Sequence, residues 1–389
     1  MAMSQSDRSD RTRLSRFWAT ASGFWRGKSA LSSWSLTASL LAIGVAQLTV
    51  QYRLNYWNRD FFDALELRNS GRLWTQAVTF VPLACLSVGL SVASVWARMT
   101  TQRKWRQWLT GNILDTWLSD GRYRKLELTA GGEYKNAEYR VAIDTRIATD
   151  APVDLTLGFV TSALTAFVFI DVLWTVGGSL SLVVGHTELT VPGYLVVGVV
   201  IYTLVFTSAM MTIGRKLSLV IQAENQAEAE LIAAANQIRQ SGGRAGAADD
   251  ESDNFQLARN ALRQVLARWR QLCWQLMGTT MVSQTDLLFA PVFAWLLCAP
   301  KYLSGAMSLG ELTQASAAFV TLQAAFNWLV DNYGRLSDWR SAANRVASLL
   351  FALDEVEASE RDEPAVPEQS SQSRLSTFTG ERQIAGPAG

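Results

Sequence analysis

The sequence predicts an all-α membrane protein in which six membrane-spanning helices carry long cytoplasmic helical extensions. Three observations support this prediction. Of the 389 residues, 49% are hydrophobic and 18% are charged; long apolar stretches free of Lys and Arg recur; and the basic residues between these stretches are alternately abundant and scarce. The net charge of +1 lacks the basic excess of nucleic-acid binders, so we expect membrane lipid, and no nucleic acid, as a partner.

Six apolar stretches are long enough to cross a bilayer core of about 30 Å, which takes about 20 helical residues. They lie at 31–52, 77–97, 152–180, 191–213, 272–299 and 306–333. The first is too long for a signal peptide and has no small-residue cleavage site, so we expect it to be retained as a helix.

The connections between these spans differ in charge. The second and fourth, at 98–151 and 214–271, hold ten and eight Lys or Arg, whereas the third and fifth hold none and one. Basic residues mark cytoplasmic segments. Both long connections and both termini, including the basic segment 1–30, are therefore predicted to be cytoplasmic.

The two long connections are predicted to be helical stalks that continue the spans. A helix over 98–122 would extend about 35 Å, at about 1.5 Å per residue. Breaks are predicted at the Gly-containing segments 129–132 and 241–243. Residues 31–353 thus form one predicted membrane domain with its stalks, and the Glu-, Ser- and Pro-rich residues 354–389 are predicted to be a disordered tail.

Several segments resemble a known transporter family. They are LNYWNRDFFDAL at 54–65, GRYRKL at 121–126, NAEYRVAID at 136–144 and AENQAEAE at 223–230. The first resembles the N(x)W(x)RDF(Y/F)(D/N)AL motif of SbmA/BacA-like and related ABC transporters, and the others follow in the family's order. The resemblance covers about 31–353 and implies one half of an ABC exporter-type transmembrane domain.

The resemblance also implies a function. It implies an inner-membrane subunit that moves peptides or similar amphipathic cargo by alternating access, as a homodimer. SbmA/BacA-like members use the proton gradient, whereas related members carry an ATPase domain. The 389 residues contain no phosphate-binding G-x-x-x-x-G-K-[ST] loop, so we expect no nucleotide-binding domain, no enzyme activity and no cofactor.

Five carboxylates lie within the predicted spans, where a charge costs about 2.5 to 3.5 kcal/mol. They are Asp154, Asp171, Asp286, Glu311 and Asp331, and the spans contain no Lys or Arg. We predict that they form a proton or substrate pathway. Structural alternatives exist for three: Asp154 as a helix N-cap, Glu311 beside an N-cap at Ser308, and Asp331 paired with Arg335.

Residues just outside the first span form a predicted external elbow of Trp57, Arg59 and Asp60. Its aromatic and paired charged side chains fit a substrate gate at the membrane surface. They also fit a packed junction between the first two spans, which is the interpretation that we favour.

A second polar set lies on the predicted stalks and would face an ATPase, as in related transporters. It comprises Asn136, Arg140, Asp144, Glu224 and Glu228. Spacing of four places Arg140 beside both Asn136 and Asp144 on one helix face, which also allows a simple solvated ion pair. Ala137, Glu138 and Tyr139 replace the family's Pro-Asp-Gln, which leaves docking of an ATPase open.

Three functions follow from these features. The first is a proton-driven peptide transporter. The second is the permease half of an ABC transporter that needs a separate ATP-binding subunit, and the third is a degenerate half that regulates a partner without transporting. A membrane enzyme is disfavoured because the sequence has no H-E-x-x-H or G-x-S-x-G motif and no clustered Cys or His ligands for a metal.

Overall fold

The computed structural model describes residues 15–27, 30–129, 137–184, 187–241 and 248–362. Long helices dominate these ranges. They are α1 (Ala30–Glu66), α2 (Ser70–Leu118), α3 (Arg122–Thr129), α4 (Ala137–Gly177), α5 (Tyr194–Gly214), α6 (Leu217–Ser241), α7 (Ala248–Leu303), α8 (Leu309–Asp331) and α9 (Tyr333–Asp362). Helix α4 contains one π-helical turn at Arg140–Asp144.

Five helical stretches among the described residues are long and apolar enough to cross a membrane. They are Ala30–Glu66, Ser70–Leu118, Ala137–Gly177, Tyr194–Arg239 and Phe255–Leu303. Each of them overlaps one of the first five predicted spans, and the protein is a multi-pass membrane protein. Helix α8, at the sixth, is less apolar, with Gln314, Ser316 and Gln323 among its buried residues, and its span remains a prediction.

The described residues form an all-α membrane domain, as predicted, with one short β-hairpin between α4 and α5. Strands β1 (Ser179–Val184) and β2 (Thr187–Pro192) pair antiparallel. The segments SLSLVV and TELTVP carry the two-residue alternation of strands. Gly178 and Gly193, at φ 58° and 61°, turn the chain out of and back into the helices. The predicted spans 152–180 and 191–213 therefore overlap the strands at one end.

The chain divides into two compact units. The first comprises the described residues of Met1–Trp34, Thr101–Pro152 and Ser337–Gly389, and the second comprises Ser35–Thr100 and Val153–Leu336. In the second unit, α4, α5, α7 and α8 form the core, with Leu173, Val199, Ala294 and Phe319 buried. Small residues such as Ala294 let neighbouring helices approach closely.

Aromatic side chains contribute to the core of the first unit, together with aliphatic ones such as Leu109. Trp105 of α2 is 1% exposed, stacks near Phe24, and donates from Nε1 to the Ala21 carbonyl at 3.3 Å. Arg16 donates to both carboxylate oxygens of Asp354 at 2.7–3.0 Å.

Helix α9 continues past the boundary predicted for the tail. It runs to Asp362, whereas the sequence placed a disordered tail from residue 354. The reason is packing, because Leu349, Leu353 and Val356 are all buried. Residues 363–389 of the predicted tail lie outside the described residues.

The helices at the two predicted stalks end at defined positions. Helix α2 ends at Leu118 and a 3-10 turn at Ser119–Gly121 follows, so the predicted helix over 98–122 is interrupted near its end. Gly121 has φ 68°, a conformation that glycine adopts without strain. Helix α6 ends at Ser241, where the sequence predicted a break.

Candidate functional site

A polar cleft lies among α1, α2, α4 and α8 in the second unit. Its volume is about 650 Å³. The lining residues are Gly44, Gln47, Leu48, Gln51, Leu54, Ser87, Ser91, Thr161, Ser162, Thr165, Val320, Thr321, Ala324 and Ala325. The lining is rich in hydroxyl and amide groups and carries no charged side chain.

Two hydroxyl groups of the cleft lining donate hydrogen bonds to their own helices. Ser91 donates to the Ser87 carbonyl at 2.9 Å, and Thr161 donates to the carbonyls of Leu157 and Gly158 at 2.8 and 3.0 Å. A hydroxyl oxygen that has donated its proton still has lone pairs. The cleft therefore offers acceptors to N–H groups of a bound molecule without selecting for its charge.

The five carboxylates predicted to form a pathway do not come together at this cleft, since none of them lines it. Asp171 and Asp331 are exposed on α4 and at the end of α8. The other three lie in separate polar contacts. Among the described residues, the five carboxylates therefore do not gather at the cleft.

Asp286 is held within the helix packing. Its Oδ2 accepts a hydrogen bond of 2.6 Å from Gln323 Nε2, and the Tyr202 hydroxyl donates to its carbonyl at 3.3 Å. Its Oδ1 is buried and has no hydrogen-bond partner among the described residues. The sequence analysis did not identify Gln323 as the partner of Asp286. A polar amide side chain within the predicted sixth span could have indicated such a role.

Asp154 joins three helices by ion pairs. Its carboxylate lies 2.6 Å from Arg335 of α9 and 3.6 Å from Arg98 of α2. Because α4 runs unbroken through Pro152, Asp154 is not the N-cap that the sequence allowed. Arg335, the predicted partner of Asp331, bonds Asp154 instead. Both cations lie just beyond the ends of predicted spans, so the absence of Lys and Arg within the spans does not exclude them.

The predicted elbow meets the start of α8. Arg59 donates to Glu311 at 2.9 Å, Asp63 accepts from the Gly310 amide at 2.9 Å, and Glu66 accepts from the Leu309 amide at 2.9 Å. The carboxylates of α1 therefore satisfy N–H groups that begin α8 and have no partner within the helix.

Further contacts tighten this junction. Ser308 and Glu311 form a reciprocal capping box, as the N-cap alternative for Ser308 predicted. A Cβ at Gly310 would overlap the Arg59 carbonyl and the Asp63 carboxylate, so the two helices touch through glycine. Sequence reasoning missed Asp63, Glu66 and Gly310.

The other two residues of the predicted elbow, Trp57 and Asp60, differ in how far they are packed. Trp57 donates from Nε1 to the Gln76 carbonyl at 2.8 Å and stacks near Phe61, so it ties α1 to α2. Asp60 is exposed. The geometry of Trp57 and Arg59 is that of a packed junction.

The residues predicted to face an ATPase are divided. Asp144 is buried, with its side chain 1% exposed, and accepts two hydrogen bonds of 2.7 and 2.8 Å from Arg345. These bonds raise the pKa of Arg345 above its ordinary value. Arg140 donates to Ser348 at 2.9 Å rather than bridging to Asp144. Both contacts lie inside the first unit, so Asp144 is not available to a partner.

The remaining members of this set lie elsewhere. Glu224 and Glu228 lie on α6 in the second unit, the first partly buried and the second exposed. Asn136 lies outside the described residues.

Comparison with known proteins identifies the family to which this chain belongs. The model of the family described as ABC transporter transmembrane region 2 matches residues 27–303. Several relatives match this chain over most of its length, and three of them come from Escherichia coli, Haemophilus influenzae and Arabidopsis thaliana. The inner membrane ABC transporter ATP-binding protein YddA of Escherichia coli is 27% identical over 342 residues, which are 83% of this chain and 58% of that protein.

The other two relatives are more distant. An uncharacterized ABC transporter ATP-binding protein of Haemophilus influenzae is 18% identical over 88% of this chain and 57% of its own length. ABC transporter D family member 2, chloroplastic, of Arabidopsis thaliana is 19% identical over 88% of this chain and 46% of its own length. The chain spans about half the length of the curated relatives it matches.

Proposed function

We propose, from the premise that this chain belongs to the ABC transporter transmembrane region 2 family, that it is the membrane-spanning half of a transporter for peptides or similar amphipathic cargo. It works in the inner membrane as a homodimer, by alternating access, with both termini in the cytoplasm. The observation that carries this proposal is the polar cleft between α1, α2, α4 and α8.

The chemistry of the cleft favours this class of cargo. Peptide N–H groups need acceptors when they leave water, because an unsatisfied polar group in an apolar medium costs several kcal/mol. The hydroxyl and amide groups of the lining, such as Ser91, Thr161 and Gln47, can meet this need. Apolar side chains of the cargo contact Leu48, Leu54 and Val320 on the same walls.

ATP is the energy source that we favour. Two of the relatives, from Escherichia coli and Haemophilus influenzae, are named as ABC transporter ATP-binding proteins, and this chain corresponds to slightly more than half of each. An ATP-binding domain acting with this chain, as part of the same polypeptide or as a separate subunit, supplies the driving force. The exposed Glu228 on α6 lies in a region where such a domain would dock.

A second energy source, the proton gradient, is favoured by Asp286. A carboxyl held by Gln323 at 2.6 Å, with its other oxygen buried and unbonded among the described residues, is a group that can carry a proton. The two sources differ in a direct test. Uptake into proteoliposomes that stops when an uncoupler is added, and that Asp286→Asn abolishes, would favour protons over ATP.

The cleft itself is tested by filling it. Ser87→Phe and Ser91→Phe place rings in the cleft, whereas Val88→Phe and Val92→Phe place them one position along the same helix, where the side chains are 64% and 65% exposed. We expect peptide transport in proteoliposomes, with the ATP-binding domain present, to fall at least about tenfold for the Ser variants. Transport should be nearly unchanged for the Val variants.

Equal effects of the two pairs would remove the cleft from the pathway. No transport by the unsubstituted protein, under a proton gradient or with ATP and an ATP-binding domain, would favour the non-transporting regulatory half instead.

A further inference from the structure

One aromatic side chain, Trp328, lies beyond the end of the cleft nearest to the start of α9. Thr161 and Ser162 of α4, and Ala324 and Ala325 of α8, line the cleft. About one turn further along each helix, the Trp328 indole lies over the backbone of Gly158. A Cβ at Gly158 would lie 2.6 Å from Trp328 Nε1 and 2.8 Å from Cζ2. The absence of a side chain at Gly158 is therefore what allows the indole to reach α4.

Further contacts connect the helices around Trp328. Trp328 also packs near Phe159, with ring centroids 5.9 Å apart. At the next turn of α4, Asp154 holds Arg335, which follows α8 at the start of α9, at 2.6 Å. Arg98 of α2 reaches the same carboxylate at 3.6 Å. The ion pairs thus tie together three of the chain segments that continue from the cleft walls.

We propose that Trp328, seated on Gly158, is the gate at this end of the cleft, and that the Asp154–Arg335 ion pair is the latch that holds it closed. The proposal rests on the proposed function, because a gate matters where cargo passes. It assigns to Gly158, Trp328 and Arg335 a role in access to the cleft.

The chemistry suits a contact that opens and closes. An indole resting on bare helix backbone gives a flat contact without interdigitation. The latch is accessible, since the Arg335 side chain is 54% exposed and that of Asp154 is 16% exposed. An ion pair with one partner in water separates at low cost, whereas a fully buried one does not. The latch can therefore bias the position of α8 against α4 without locking it.

The other end of the cleft is held differently. There α1 and α8 are joined through Asn55, whose amide donates to the Gln314 carbonyl at 3.1 Å, and then through Arg59 and Glu311. Asn55 and Gln314 are both buried. The buried bonds and the backbone caps on α8 make this junction the firmer of the two, so we expect the Trp328 end to open first.

The test measures access to the cleft and needs no cargo. In a background where Cys85, Cys273 and Cys298 are replaced by Ala, Thr165→Cys places a thiol on the cleft wall. The rate of its modification by a membrane-impermeant maleimide is measured in inside-out and right-side-out vesicles. We expect Trp328→Ala to raise the rate about tenfold or more in one orientation only, because the open state becomes populated.

Two further variants act without deleting the aromatic ring. Gly158→Ala adds a methyl group where the indole sits, and Arg335→Gln removes the charge of the latch. Both should raise the labelling rate. Arg335→Lys keeps the ion pair and should label as the parent does, and Trp274→Ala, which removes a 68% exposed indole from α7, is the matched control.

Labelling that rises for Trp328→Ala, Gly158→Ala and Arg335→Gln but not for the controls supports the gate. Labelling unchanged in Gly158→Ala and Arg335→Gln, for protein that elutes as one species in detergent, overturns it. This outcome is distinct from failure of the proposed function, which is measured by transport in the cleft-filling variants.

Discussion

The ion pair between Asp144 and Arg345 offers a quantitative test of how the first unit is held together. Arg345→Met removes both hydrogen bonds and leaves a carboxylate that is 1% exposed without this partner. Breaking a buried ion pair from one side costs about 3 to 5 kcal/mol. Because the Arg345 side chain is 46% exposed and water can partly replace it, we expect the lower end of this range, about 3 kcal/mol.

Substitution of the acidic partner, Asp144, should lower the free energy of unfolding by a smaller amount. Asp144→Asn keeps the shape of the side chain and removes its charge, so the expected loss is that of charge-assisted hydrogen bonds, about 1.5 to 3 kcal/mol. The double variant contains no buried charge. Its loss should therefore be smaller than the sum of the two single losses by about 1 kcal/mol or more.

The assay is urea unfolding of the purified chain in mild detergent, followed by the fluorescence of tryptophans such as the buried Trp105. Arg263→Met, at an exposed position on α7, is the control and should change the unfolding free energy by less than about 0.5 kcal/mol. A loss below about 0.5 kcal/mol for Arg345→Met, or strict additivity in the double variant, would refute the reasoning.

Three further predictions follow from the described contacts. Gly310→Ala should destabilise the protein by about 1 to 3 kcal/mol and lower its melting temperature in detergent, because the added methyl group overlaps α1. The control Gly334→Ala adds a methyl group in open space and should leave the stability unchanged or raise it slightly. Asp63→Asn keeps an acceptor for the Gly310 amide and should cost about 1 kcal/mol less than Asp63→Ala in the same assay. The difference in unfolding free energy between the parent and Arg345→Met should be the same at about pH 6 and about pH 9. A raised pKa gives stability that is fully present below the unfolded pKa of arginine, which lies well above this range, and that is lost only as pH rises through the still higher folded pKa. A pH-dependent difference would mean that another group controls the contact.

The membrane-spanning helices could be predicted because each depends on local composition. Apolar stretches of about 20 residues and alternating basic connections are properties of short windows of sequence. The hairpin at Ser179–Pro192 was missed since its apolar residues merged with those of the adjacent spans. The end of α9 was missed because the burial of Leu353 and Val356 depends on packing within the first unit.

The candidate site was harder to predict than the fold. Charged residues in apolar stretches are conspicuous, so Asp154, Asp286 and Glu311 were found, but their partners come from distant positions such as Arg98, Gln323 and Arg59. The cleft consists of Ser, Thr, Gln and small residues on four helices. Single polar residues of this kind are ordinary in any one membrane helix, so their convergence becomes visible only in three dimensions.

The modest hydropathy of α8 has a consequence for how the protein is made. A segment that is less apolar than its neighbours gains little by leaving the translocon for lipid alone. Its polar side chains bond α7 and α1, for example Ser316 to the Pro291 carbonyl and Gln323 to Asp286. If α8 crosses the bilayer as predicted, we expect it to insert late and with the help of earlier helices. Its polar side chains then need α7 already in the membrane, because α7 supplies their hydrogen-bond partners.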